Sequence, residues 1–467
     1  MRKRALTTVW LLLWISAVGA QELPDSLESP HPWRALGEVV LANGVVNLFD
    51  RFVLNEPFSR TSFSSISTNL KSGFIWDNDK FLQNQIGHPC QGTFYHNAAR
   101  CNGMNFWQSL PYTLGGSLLW EIAGEKERPS VNDMITTTVG GTGLGEVTYR
   151  LAGRIIREQE RGPRRVVREV SAALINPMNG FHRLVTGRAW KVSTDSRMRT
   201  ASESEDDSDG PRLMVGGRYV AAADAFHDAR LHSFFAFSID YGQAADGECH
   251  DTPYDFFSGE AALTFGGGQP PVSHLQITGR LCSTPIADNK LVLGELGLYQ
   301  YLGYEDSRLN DSTHVSPFPY SEMASVGPGL TFVFPRLTSS LSAEQRFFAK
   351  GIALGGSKSD YFDTGERDYN YGSGYGAAMM SRLAWYHVAM LQLDVNYLHL
   401  FTWNAHLGDN RSNTRLLSVG LRARAYLSRL LSLQVGASHI SRHSYYHQHP
   451  SHRASCYELK AALQYAL

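Results

Sequence analysis

Tyr457-Glu458-Leu459-Lys460-Ala461-Ala462-Leu463-Gln464-Tyr465-Ala466-Leu467 closes the chain, and its large apolar groups fall on every second position. A period of two sends alternate side chains to opposite faces of a strand. Tyr457, Leu459, Leu463, Tyr465 and Leu467 make one oily face, while Glu458, Lys460 and Gln464 share the other. Two earlier stretches repeat the pattern. Leu417, Val419, Leu421, Ala423, Ala425 and Leu427 alternate with Ser418, Gly420, Arg422 and Arg424, and Leu391, Leu393, Val395 and Tyr397 with Gln392, Asp394 and Asn396. An apolar face opposed to a charged one is the wall of a membrane β-barrel, with lipid outside and water inside.

Working upstream, similar segments recur back to residue 212, with Phe235, Phe237, Ile239 and Tyr241 against Ala236, Ser238 and Asp240 the cleanest early example. They number about twelve, an even count as bacterial barrels require. Longer connections near 244–254, 304–320, 354–371, 404–412 and 443–453 fit external loops, and Arg336-Leu337 and Ser428-Arg429 fit short turns. The alternation turns Arg218, Asp240, Arg280, Asp394, Arg422 and Arg424 toward the lumen. The last strand resembles the terminal strand by which outer-membrane barrels are recognised for assembly, although Leu467 stands where an aromatic is usual. That resemblance implies the barrel assembly machinery and outer-membrane lipids as partners. A soluble β-sandwich with one wet face is the alternative, but its strands would be shorter.

The other end of the chain is different in kind. Residues 1–20 read as a secretory signal: Arg2, Lys3 and Arg4, an apolar run from Val9 to Ile15, then Val18-Gly19-Ala20. That run is too short to span a bilayer. Residues 21–35 follow as a polar, proline-containing leader, 36–192 as a small helical domain, 193–211 as an acidic linker built around Glu203, Glu205, Asp206, Asp207 and Asp209, and 212–467 as the barrel. The fold class expected is therefore mainly β, a transmembrane antiparallel barrel of about twelve strands behind a helical domain. Export through such a signal places it in the outer membrane of a Gram-negative bacterium. A formal net charge of −1 excludes the basic excess that nucleic acid needs. The five cysteines show no CxxC spacing, so neither zinc nor another metal is expected, and no cofactor motif is present. Cys90 and Cys101 are close enough in sequence to be considered for a bridge.

Within the helical domain, apolar spacing predicts a helix over Leu36–Leu54, irregular chain over 58–88, a helix from about Phe94 to Ala123 interrupted near Pro111, and another from Ser130 to about Arg157. Ser130 with Asp133 three residues on reads as an N-cap. Gly141-x-x-x-Gly145 lets two helices touch backbone to backbone, so these two helices are expected to form a tight hairpin. The basic run Arg157, Arg161, Arg164, Arg165 and Arg168 reads either as a solvated helix end or as a contact with anionic lipid headgroups.

Polar groups concentrate between residues 88 and 150: His88-Pro89, Gly92, Tyr95, Ala99-Arg100, Asn102-Gly103, Ser109, Ser117, Trp120-Glu121, Asn132-Asp133, Gly145-Glu146 and Tyr149-Arg150. With Asn176-Pro177-Met178, Gly180-Phe181 and Arg183-Leu184, these blocks resemble the bacterial domain of unknown function family 3943 over residues 70–190. The resemblance implies an exported envelope protein and no established activity. Two readings of the residues compete. In one, Asn102, Asn132, Gly141, Gly145, Glu146 and Arg150, with Arg100 and Glu121, form a buried polar network that fixes the helix hairpin. In the other they surround a catalytic site where His88 is general base, Arg100 holds an anionic group and Glu121 or Asp133 orients the base. No motif names a reaction. Three functions therefore stand side by side: a gated passage with the helical region as periplasmic plug or cap, an envelope lipid- or glycan-modifying enzyme, and a structural or assembly protein. About twelve strands leave a lumen that admits one helix and not a hairpin.

Overall fold

The computed structural model describes residues 29–192, 210–223, 230–266, 269–307, 316–363, 365, 367–402 and 411–467. The signal segment 1–20, the leader up to residue 28 and the acidic linker 193–209 lie outside the described residues. The chain divides into two compact units, one running to Ile75 and resuming at His88, the other joining Trp76–Gly87 to the C-terminal part.

The helical unit contains α1 (Pro32–Phe49), α2 (Phe63–Ser72), α3 (His88–Cys101), α4 (Phe106–Leu119), α5 (Val131–Ile135), α6 (Gly141–Ile155), α7 (Pro163–Ile175) and α8 (Pro177–Val185). α2 falls where irregular chain was expected. A reciprocal capping box between Ser62 and Ser65 starts it, a signal that composition alone hides. The break expected at Pro111 comes earlier. Gly103, at φ +85°, ends α3, and Asn105 paired with Gln108 caps α4, so Pro111 sits inside a continuous helix. Wider π-helical turns, Trp120–Gly124 and Thr136–Gly140, prolong α4 and join α5 to α6. Ser130 accepts the Asp133 amide at 3.4 Å at the head of α5.

α3 crosses α6 where Gly92 faces Gly141. A β-carbon on Gly92 would lie 2.0 Å from the Thr137 carbonyl oxygen and 2.9 Å from the Gly141 Cα. Backbone stands on both sides of this contact, so neither position admits a side chain. The five cysteines are free. Cys90 and Cys101 lie near opposite ends of α3, where a rise of about 1.5 Å per residue separates them far beyond disulfide reach.

The C-terminal unit is a closed antiparallel barrel of twelve strands: β1 (Arg212–Ala222), β2 (Arg230–Tyr241), β3 (Phe257–Phe265), β4 (Val272–Asp288), β5 (Leu293–Glu305), β6 (Tyr320–Phe334), β7 (Leu341–Lys358), β8 (Tyr369–Trp385), β9 (Ala389–Thr402), β10 (Ser412–Tyr426), β11 (Leu431–Tyr446) and β12 (His452–Ala466). β12 pairs back on β1, from Arg212↔Ala466 to Ala222↔Cys456, which removes any free sheet edge. The outer face is apolar, with Leu421, Val435, Leu459 and Leu463 each 45–49% exposed.

Consecutive strands run in opposite directions, so their connections alternate between the two ends. Short turns at 289–292, 335–340, 386–388 and 427–430 share one end with the start of β1 and the end of β12. The long connections after β5, β7 and β9 share the other, with the five-residue connection 447–451 after β11. The connection 242–256, expected with the external loops, belongs by strand direction to the short-turn end. Its length has a structural use: it folds back along the barrel, with Tyr254 and Arg280 joined through their backbones.

Candidate functional site

The lumen is crossed by ion pairs. Asp240 on β2 meets Arg382 on β8 at 2.9 Å, and Glu260 on β3 meets Arg422 on β10 at 2.6 Å. Neither pair joins neighbouring strands, so both bridges pass through the interior. Arg422 also binds Asp394 at 2.7 Å, and Lys350 binds Glu322 at 2.7 Å and Asn396 at 3.0 Å. Arg218 pairs with Glu458 and donates to Thr264 at 3.0 Å and Ser307 at 2.6 Å. Around these groups lies a chamber of about 180 Å³, bounded by Asp240, Glu260, Lys350, Asp394, Arg422 and Arg424 among others. Its lining carries fixed charges of both signs.

Among the described residues, side chains pack together toward both ends of the lumen. Toward the long-loop end, Phe318 and Tyr320 join Ile352, Leu398, Leu400, Leu416 and Ile440 in one apolar cluster. Arg442 pairs with Asp360 at 2.6 Å and donates to the Ser316 carbonyl at 2.9 Å. Toward the short-turn end, Phe256 packs on Tyr299, Tyr301 and Phe348, with the Arg346 guanidinium 4.7 Å from its ring centre. Arg280, nearly fully buried, is held by Asp255 and Glu295 at 2.8 Å each.

His250 completes that end, 2.9 Å from Asp246 and 2.5 Å from Asp255. Burial opposes its charge, but the hydrogen bonds and charges of Asp255 and Asp246 outweigh both burial and Arg280, and raise its pKa to about 9. Ligand atoms of Asp246, His250 and Glu295 lie within 4.8 Å of one another. Glu295 already accepts from Arg280 and from Ser283 at 2.8 Å, and Asp255 takes the second ring nitrogen of His250. The carboxylates of the cluster are thus already engaged by Arg280 and His250.

Trp76–Gly87 packs on the barrel wall. Phe81 stacks on Tyr304 and meets Tyr369 edge-on, Asn84 donates to the Tyr369 hydroxyl at 2.6 Å, and Gln85 accepts from Ser321 at 2.8 Å. Tyr304, Ser321, Gly356 and Tyr371 are successive partners across the sheet. Glu322, next to Ser321, reaches Lys350 inside the lumen, so the face under Phe81 is the outer one.

In the helical unit the expected polar residues separate into distinct clusters. Glu146 is fully buried between Arg100 at 2.8 Å, Arg150 at 2.9 Å and His96 at 3.1 Å. Burial alone would raise its pKa, but the two guanidiniums hold the carboxyl well below the usual range. Burial pushes His96 down despite its bond to Glu146. Arg100 also lies 4.5 Å from the Tyr149 ring centre. His88 stands 3.4 Å from Asp133, which accepts from Asn132 at 2.8 Å, while Glu121 accepts the Ser130 amide at 2.6 Å. Asn102 goes elsewhere, donating to Glu38 at 2.8 Å, and Glu38 in turn meets His182 at 2.9 Å. The proposed catalytic quartet is therefore divided: His88 is beside Asp133, Glu121 is linked to that pair through Ser130 and Asn132, and Arg100 belongs to the Glu146 network. Gly141 and Gly145 serve the helix crossing, Gly145 fitting against His96.

Sequence reasoning missed His96, Glu38 and His182, whose partners are distant in the chain. It also missed Glu260 and Arg382 in the lumen, and placed Glu458 on the inner face without its partner Arg218. Strand parity could have found Glu260 and Arg382, because each shares the face opposite outward apolar neighbours such as Leu263 and Leu383.

Residues 73–178 match the family described as Domain of unknown function (DUF3943). No curated protein matches the chain. Among solved structures, the NanC porin is similar at 8% identity and a TM-score of 0.30, over 55% of this chain and 100% of that one. The KdgM porin is similar at 10% identity and 0.25, over 54% and 99%. The Pseudomonas putida toluene transporter TodX is similar at 10% identity and 0.21, over 55% and 89%.

Proposed function

We propose that this chain is an outer-membrane β-barrel protein of a Gram-negative bacterium whose lumen is a closed, charge-lined passage for a small polar solute. The observation that carries this reading is the pair of cross-lumen bridges, Asp240 to Arg382 and Glu260 to Arg422, inside a closed barrel with an apolar outer face. A barrel needed only as a wall has no use for opposite charges half-buried across its interior, each costly to withdraw from water unless paired. Paired across a passage, they hold it shut and can exchange partners with a polar solute. Closure by the barrel's own side chains makes a helical stopper unnecessary, so the helical region enters this reading as a cap. The enzyme reading has no comparable support, since His88 and Asp133 are 3% and 2% exposed.

Single-channel recording in planar bilayers tests the proposal. Wild-type protein should be mostly closed. A full-length variant with Asp240→Asn, Arg382→Gln, Glu260→Gln and Arg422→Gln should conduct in long openings while keeping heat-modifiable migration on gels. A variant that keeps that migration yet stays closed would overturn the reading, as would recovery of the wild type in the soluble periplasm.

A further inference from the structure

We infer that the helical unit seats its exterior in the acyl-chain boundary of a lipid bilayer. It exposes an apolar helix face while its interior mixes apolar side chains with buried polar ones. On α1 and its continuation Asp50–Leu54, Val40, Leu41, Val45, Leu48, Phe49 and Phe52 are 45–73% exposed. The opposite face of the same helix buries Glu38 and Asn43, each 6% exposed and hydrogen-bonded to Asn102 and Tyr95 respectively. A helix in water puts these classes the other way round.

The interior carries the matching signature. Helices in lipid gain nothing from apolar contact with one another, and associate through small residues and hydrogen-bonded polar groups. The Gly92–Gly141 crossing and the His96, Arg100, Glu146 and Arg150 network supply both.

The charge pattern favours lipid over a protein partner. Along α1 the acidic groups turn away from the exposed face, Glu38 being buried and Asp50 half-buried. α7 exposes Val166, Val167, Val170 and Leu174 beside Arg164, the form of a basic interfacial helix suited to anionic headgroups. The apolar exposure thus occupies two separate helices, α1 and α7. No helix among the described residues is long and apolar enough to cross a membrane, which fits a helix lying in the interface. The inference rests on the proposed membrane setting of the barrel.

Full-length protein carrying p-benzoylphenylalanine in place of Val45, Val170, Glu127 or Leu421, one at a time, is reconstituted in vesicles of equal phosphatidylethanolamine and phosphatidylglycerol and irradiated. Leu421, on the outer face of β10, reports the barrel's own insertion. Val45 and Val170 should give lipid adducts about fivefold or more above exposed Glu127 and comparable to Leu421. Adducts to a second copy or another protein at Val45, or lipid yields no higher than at Glu127, would overturn the inference while Leu421 still labels lipid. Loss of the lipid adduct at Leu421 as well would overturn both the inference and the membrane reading of the barrel.

Discussion

Replacing Glu146 by glutamine should destabilise the helical unit far more than its one-atom change suggests. The carboxylate is wholly buried and is the shared counter-charge of Arg100 and Arg150. Glutamine keeps the shape and one acceptor but removes the buried charge that both guanidiniums share. Removing one member of a buried pair costs about 3–5 kcal/mol, and solvent screening does not reduce it here. At about 2–4 °C per kcal/mol for a unit of this size, the melting point should fall by about 6–20 °C. The measurement is the thermal loss of the helical circular-dichroism signal of full-length protein, with Glu169→Gln as a partly exposed comparison. The pH dependence gives a second readout. A carboxyl whose folded pKa is depressed stabilises fully above its ordinary value near 4.5, and loses that contribution as pH falls toward the folded value. His96, held neutral by burial, removes stability as pH falls below its ordinary 6.5. Wild type should therefore weaken in two stages on acidification, and Glu146→Gln should lack the lower one. A variant melting within about 2 °C of wild type would refute the assignment of Glu146 as the shared counter-charge.

Gly92→Ala should cost several kcal/mol or prevent accumulation of folded protein, because its methyl group meets backbone on two sides, whereas Gly115→Ala, with nothing within 4 Å, should be neutral or stabilise by up to about 1 kcal/mol. Heat denaturation of the two variants decides it, and equal behaviour would contradict the close crossing. His250, with its folded pKa raised to about 9, contributes fully below its ordinary 6.5 and loses that contribution as pH rises through about 9. Channel openings should therefore become more frequent above pH 9, and His250→Gln should abolish that pH step. A wild-type record flat from pH 7 to 10 would contradict a closing role for the contacts of His250 with Asp246 and Asp255.

Strand alternation fixed much of this protein before any coordinates. Leu459 and Lys460 differ in which face they occupy, and period two decides that locally, so the strand pattern, the outer apolar band and the inward charges of β10 were legible one residue at a time. The Ser130 cap and the Gly141-x-x-x-Gly145 spacing were legible for the same reason, since each acts within a turn or two of helix. Local pattern does not say who stands opposite. That Asp240 meets Arg382 and Glu260 meets Arg422 depends on the closure of twelve strands, which brings residues 142 and 162 positions apart into contact. That Arg100 leaves His88 for Glu146 depends on where α3 crosses α6, and that Trp76–Gly87 joins the barrel depends on Tyr304, Ser321 and Tyr369, more than 200 residues downstream. The sequence by itself determined which face each side chain takes, because backbone periodicity is a short-range property. Only the tertiary structure decided the partners of the buried charges, because a charge withdrawn from water is stabilised by whichever opposite group the closed fold brings within hydrogen-bond reach.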